Sequence, residues 1–435
     1  MRRPTRAPSG DRRLLRGERV TGSLAHGAGR PARRPGQRLF IAGLGVGQIV
    51  SWGTFYYSFP LIAGPMAEEF AMTKPEVYGA ATVGLLVASL AAYPVGAAVD
   101  RGHGRLVMAL GSLLGGLLLI AWASIGQAWM LYPLFAGIGL VQAMTLYDPA
   151  FAVIARRLGA EARGGITALT LWGGFASTVF VPAVQFLLDH AGWRDALLAL
   201  AAVNLLLCVT LHLSLIDSAA WPAAGMPQAG APSSMPEPAR EGVGWALRQP
   251  AFWGLLVAFT VYYGTFSGLT YHLYPMLMER GFDTASVVGA IAVIGPAQVA
   301  GRVFIWLLAS GRPIRLVGSV TVAAFPVALA ILMFLPEGFA TLAAFALVYG
   351  AGNGIITIVR ALAVPEMLTR NAYGAINGAL SVPAMAAKAA APFGAAALWS
   401  FTGSYDAVLA AAFAATLVIA GGFWSAALAS RRSGV

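Results

Sequence analysis

Arg302, Lys388 and Asp148 each sit inside a long apolar stretch, and these are the positions from which chemistry would come. Arg302 interrupts Gly289–Ser310 (GAIAVIGPAQVAGRVFIWLLAS), which is long and apolar enough to cross a bilayer. A charge at that depth costs between roughly 3 and 15 kcal/mol and calls for a partner, a watery cavity or an anionic ligand. A guanidinium there is suited to clamp a carboxylate through two parallel hydrogen bonds. Lys388, in Val382–Trp399, adds a compact point charge, so the pair would favour an anion. Asp148, followed by Pro149, is the acid lying well inside a segment; it reads as a protonatable group or gate, or as the fixed partner of a cation. Pro149 should free a backbone carbonyl and bend its helix. Arg360 lies near the end of another segment, where an anchor or a gate is the expected role. His272 is read as a hydrogen-bonded neutral imidazole or a proton relay.

Other chemistries find no support. We identify no catalytic residues, phosphate loop, nucleophile triad or metal cluster, and expect no cofactor. Gly43-Leu44-Gly45-Val46-Gly47 is faintly like a nucleotide-binding loop but lies in an apolar helix without a preceding strand, so its glycines should serve packing. Cys208 is the sole cysteine, which rules out an internal disulfide. The net charge of +11 suggests nucleic acid, yet residues 1–38 alone hold eleven Arg against Asp11 and Glu18. The basicity is therefore a tail plus a loop bias, and no nucleic-acid partner is expected.

The elements that must position these residues are membrane helices. The chain is 58% hydrophobic and 11% charged, about half the charge of a soluble domain. Twelve apolar segments lie near 39–64, 77–99, 106–126, 131–155, 165–188, 195–215, 251–277, 285–309, 315–335, 338–362, 374–399 and 405–429. With the N-terminus in the cytoplasm, 23 basic residues fall on the cytoplasmic side and three (Lys74, Arg194, Arg280) on the other; this places both termini in the cytoplasm. The organisation expected is a basic disordered tail (1–38), a six-helix half (39–216), a Pro/Ala/Gly/Ser-rich cytoplasmic linker (217–248), a second six-helix half (249–430) and a short cytoplasmic end (431–435). Pro65-Met66, Glu69, Gly79-Ala80 and Pro182 recur 210 residues later as Pro275-Met276, Glu279, Gly289-Ala290 and Pro392. Gly53-Thr54-Phe55 and Gly192-x-x-Asp195-Ala196 recur at an offset of 211. The halves read as parallel repeats about a midplane site.

The segment Gly96-Ala97-Ala98-Val99-Asp100-Arg101-Gly102-His103-Gly104-Arg105 resembles the signature loop between helices two and three of the major facilitator superfamily. Gly96, Asp100, Arg101 and Arg105 match its pattern, and His103 stands where a glycine is usual. The resemblance implies an all-α polytopic fold of twelve transmembrane helices in two pseudo-symmetric halves. It also implies a conformational latch at this loop, with Asp100 pairing with nearby cations. Within the superfamily the chain looks like the oxalate/formate and monocarboxylate porter branch, on its first helix (Gly47–Phe59) and on Arg302 and Lys388. Helices one and seven line the cavity in such proteins, which adds Tyr57 and Tyr263, together with Gln298, to the substrate-binding set. Animal monocarboxylate porters carry an Asp where this chain has Gln298, and a Lys in helix one, which here is uncharged.

The expectation is thus a secondary transporter, not an enzyme. It would be multi-pass in a bacterial inner membrane, monomeric among its lipids, and would move a small organic anion by proton coupling or by exchange. A proton-driven efflux pump for amphiphilic drugs, with Asp148 binding the cationic drug, is the rival. A membrane sensor lacks any signalling domain in the sequence.

Overall fold

A computed structural model describes residues 35–216, 242–308, 312–369 and 373–432. The predicted basic tail lies outside these residues except for its last four, which already belong to the first helix. The linker 217–248 lies outside them up to residue 241, and the C-terminal end from residue 433.

All twelve predicted segments are helical over most of their length, and no strand occurs among the described residues. We number them α1 (Gly36–Glu69), α2 (Lys74–Ala98), α3 (Gly104–Ala123), α4 (Ala128–Leu158), α5 (162–191), α6 (193–215), α7 (Pro250–Glu279), α8 (Thr284–Leu308), α9 (Ile314–Phe334), α10 (Phe339–Met367), α11 (Tyr373–Thr402) and α12 (Tyr405–Arg432). Two of the apolar helical stretches, Lys74–Ala123 and Gly164–Leu215, run to 50 and 52 residues. Each is about twice a bilayer crossing, and each folds back at a glycine with positive φ, Gly102 (100°) and Gly192 (77°). The positive-φ site in the signature loop is thus Gly102; His103 keeps φ −87° and so costs nothing there.

The duplication is visible in matching details. The first turn of α2 carries a capping box of Thr73 and Glu76. At an offset of 210, Asp283 accepts the Ser286 N–H at 2.9 Å where α8 begins. Bonds from the Ser286 hydroxyl and N–H hold the Asp283 carboxyl below its ordinary range. Where α4 crosses α2, a Cβ on Gly139 would lie 2.0 Å from Gly84 O; where α10 crosses α8, one on Gly350 would lie 2.7 Å from Ile294 O. Only glycine allows backbones that close. The glycines of the 43–47 run are packing positions as expected, facing Leu215, Trp172 and His212.

One apolar core draws only on residues 246–427. The core of the N-terminal half also takes in Tyr271, Val288, Ala389 and Ala396 from α7, α8 and α11, so the halves meet through shared packing. That meeting is one-sided. Toward the Lys74 end, α2 and α11 touch at Gly79 and Phe393, 3.6 Å from a Cβ placed on Gly79. Eleven residues on is three helical turns, hence the same face; there Leu90 and Val382 are 78% and 72% exposed. The helices diverge, and the interface opens toward the Asp100 end.

Candidate functional site

Arg302 projects from α8 to both halves. Its Nε donates to Gly354 O of α10 at 3.2 Å, and its Nη1 to Thr170 O of α5 at 2.9 Å. Close packing makes the first reach possible: a Cβ on Gly354 would lie 2.1 Å from Gln298 O, so α10 runs hard against α8 one turn before the arginine. Thr170 lies just before the break in α5 at 174–175. Tyr147, Tyr262 and Tyr57 are the electrostatic neighbours of the guanidinium. Tyr57 ends a π-helical turn, Gly53–Tyr57, that forms where Gly53 packs on the Phe180 ring. From there Trp52 (6.4 Å from Tyr57, 5.2 Å from Tyr147) and Phe151 (5.1 Å from Tyr147) continue an aromatic wall onto α4.

Lys388 on α11 and Asp148 on α4 feel each other's charge, yet neither makes an ion pair or hydrogen bond among the described residues. Asp148 is exposed, in the first turn after a break in α4 at Leu146. Arg360 of α10 reaches across to α11. It is half-buried, donates to Ser381 Oγ of α11 at 2.7 Å, and its guanidinium carbon lies 5.0 Å from the Tyr263 ring centre. Tyr263 in turn senses both Arg360 and Asp148. The interior therefore gathers Arg302, Lys388 and Arg360 against Asp148.

Tyr57 and Gln298 line a small cavity of about 30 Å³ with Leu61, Phe266, Ile294 and Tyr349. A larger vestibule of about 840 Å³ lies beyond it, toward the Lys74 end. The two share Pro60, Leu61 and Tyr274, and the Tyr274 hydroxyl donates to Gln185 Oε1 at 2.8 Å, closing one from the other.

His272 stands apart from the cations. Its Nε2 lies 2.8 Å from Pro392 O and its Nδ1 2.9 Å from the Tyr405 hydroxyl. A carbonyl can only accept, so Nε2 carries a proton, and Nδ1 meets the Tyr405 hydroxyl. The ring also stacks on Tyr78 at 3.9 Å. This is an imidazole with both nitrogens in use, inside the contact between halves. In the signature loop, the Asp100 backbone carbonyl accepts from Arg156, while its carboxylate makes no hydrogen bond or ion pair among the described residues. In this conformation the contact of Asp100 with a cation runs through its backbone. Gly96 is the last-turn glycine of α2, and Arg101 and Arg105 lie beyond it at the same end.

A two-half helical bundle that carries charged side chains without ion pairs inside its apolar helices is the architecture of a membrane carrier. The family model of the Major Facilitator Superfamily matches residues 44–392, and this chain belongs to that superfamily. It is a multi-pass membrane transporter, not an enzyme. Among curated relatives it is similar to monocarboxylate transporter 11 of Mus musculus, 29% identical over 247 residues covering 55% of this chain and 52% of the relative. It is also similar to monocarboxylate transporter 13 of Rattus norvegicus, 26% identical over 348 residues, covering 76% and 73%. The match thus spans about half the length of the type 11 relative. Its fold is similar to that of a bacterial homologue of the human lysosomal transporter Spinster in an inward-facing, unoccupied conformation (TM-score 0.62, 16% identity, 92% and 98% coverage). It is likewise similar to the nucleoside transporter NupG, D323A mutant (TM-score 0.67, 15% identity, 91% and 99% coverage).

Proposed function

We propose that this protein carries a small organic anion, a mono- or dicarboxylate, by rocking its halves about Arg302 and Lys388. The observation that carries this reading is the charge of the interior: three cations face one acid, with no ion pair among them in the described residues. An anion is the ligand that relieves such an excess. Arg302 suits the carboxylate, since swapping its carbonyl partners for a charged acceptor strengthens its hydrogen bonds. The names of the monocarboxylate transporter relatives support the same substrate class. Loop charge supports a cytoplasmic Asp100 end, and on that reading the structure is open inward in a bacterial inner membrane. The unpaired, exposed Asp148 favours a second reading, efflux of cationic drugs.

Uptake of labelled mono- and dicarboxylates into proteoliposomes, with and without an inside-alkaline gradient, separates these. Gradient-driven uptake that is lost in Arg302→Ala supports proton-coupled carriage, and uptake needing a trans carboxylate supports exchange. No carboxylate uptake in tight wild-type vesicles, with drug resistance lost in Asp148→Asn, would replace the anion reading with efflux.

A further inference from the structure

Pro149 leaves one backbone carbonyl of α4 without its helical donor. In an α-helix the N–H of residue i bonds the carbonyl of i−4, so Thr145 O should receive an N–H from position 149, and proline has none. The helix breaks there, with Leu146 at φ −78°, ψ −156°, and restarts at Tyr147 with Asp148 in its first turn.

The orphaned carbonyl is nevertheless occupied. Gln48 of α1, fully buried, donates from Nε2 to Thr145 O at 2.8 Å and to Leu146 O at 3.4 Å. One amide nitrogen with two hydrogens thus meets the two carbonyls of the break. Gln48 Oε1 has no hydrogen-bond partner among the described residues. A buried polar atom left unmatched is costly, so it is the donor end that the fold uses. Gly111 of α3 closes on the same place, where a Cβ would lie 2.7 Å from Met144 Cβ and Thr145 Cγ2.

The other half supplies a control. At offsets of 210 or 211, Gln48 corresponds to Ala258 or Phe259 and Pro149 to Val359 or Arg360. These last keep their N–H, α10 runs unbroken through them, and no glutamine is needed. Glutamine and proline are present together or absent together.

We propose that Gln48 is a positioning residue: it supplies the N–H that Pro149 lacks, fixes the break in α4, and so sets where the first turn after it holds Asp148. The consequence for transport rests on the reading given above; the geometry does not.

The test is a double-substitution cycle of wild type, Gln48→Met, Pro149→Ala and the double variant, purified and reconstituted. Methionine keeps the length of the side chain and removes its donor. Gln48→Met should cut initial carboxylate uptake on the order of tenfold and lower the melting temperature in detergent by about 1–3 °C. In the Pro149→Ala background the backbone supplies the missing N–H. There, adding Gln48→Met should cost less than about twofold in uptake and under about 0.5 °C. Equal losses in both backgrounds would show that Gln48 only fills space, and would overturn the proposal; so would wild-type uptake and melting in Gln48→Met. The melting cycle needs no substrate and decides the matter even if Pro149→Ala is itself inactive. A wild type that carries no carboxylate would sink the transport reading and leave this result standing.

Discussion

α4 and α10 are two copies of one element, and they present opposite charges by opposite means. α10 is continuous from Phe339 to Met367 and holds Arg360 against Ser381 and Tyr263. α4 is broken at Leu146 and presents Asp148 from the first turn of its second piece. The difference teaches how a duplicated bundle becomes an asymmetric carrier. The C-terminal half supplies the cations: Arg302 on α8, Arg360 on α10 and Lys388 on α11. The N-terminal half supplies the one acid of the group, set on a kink, and an aromatic face from Tyr57 to Phe151. Substrate affinity should therefore be concentrated in the C-terminal half.

The strongest way to break that comparison is at the helix crossings. A Cβ would lie 2.0 Å from Gly84 O on Gly139 and 2.1 Å from Gln298 O on Gly354. Each Gly→Ala change should cost about 1–3 kcal/mol of stability by overpacking. Gly354→Ala, however, also displaces Gln298 and the carbonyl that holds Arg302, so uptake per folded molecule should fall more than about tenfold, against less than about threefold for Gly139→Ala. Similar losses in uptake normalised to folded protein would mean that the halves share the substrate evenly. A smaller effect sharpens the comparison by sign. Removing a cation at about 8–10 Å across a partly watery interior is worth about 1 kcal/mol, or about fivefold in affinity. Arg360→Gln should raise the apparent KM for a carboxylate by that factor, and Asp148→Asn should lower it. A rise in both would place the acid in direct service of substrate binding.

Much of this arrangement could be read in advance, for a physical reason. Helix positions follow from apolar length, and buried charges stand out because they are expensive; Arg302, Lys388, Asp148 and Arg360 each interrupt an apolar run. The freed carbonyl at Pro149 was also legible, since the missing N–H belongs to proline itself. The partners were not. Arg302 bonds the carbonyls of Thr170 and Gly354, and every residue has a carbonyl, so sequence carries no mark of which two are in reach. Gln48 and Tyr147 looked like ordinary members of apolar helices, because neutral polar and aromatic residues there usually pack. For Arg360 the nearby segment end left anchor and gate open, and its bond to Ser381 of α11 is again a partner that the sequence does not mark.

The duplicated glutamates at the Lys74 end give the subtlest contrast. Glu69 and Glu279 are related by the offset of 210, and each grips the turn that follows a positive-φ glycine, Gly192 or Gly403. Glu69 accepts from Trp193 Nε1 at 2.9 Å and pairs with Arg194, all within its own half. Glu279 accepts from Trp399 Nε1 at 2.8 Å and from the Tyr405 N–H at 2.9 Å, but its cation, Lys74 at 3.3 Å, comes from the other half. Lys74 also lies 3.3 Å over the Trp399 ring. One copy of the motif is thus internal, and the other ties the halves where they are closed. Both partners of the tie are about a third exposed (28% and 33%), so it is worth about 1 kcal/mol or less. Glu279→Gln should shift the population toward opening at this end by up to about fivefold; Glu69→Gln should not. A Thr270→Cys reporter on the inner cavity wall, labelled by an impermeant thiol reagent applied from the Lys74 side, reads that population, with Cys208 buried out of reach. Lys74→Met should reproduce Glu279→Gln, and combining them should add nothing further. Equal labelling in the Glu69 and Glu279 variants would show that the pair spanning the halves is a surface contact and not a tie.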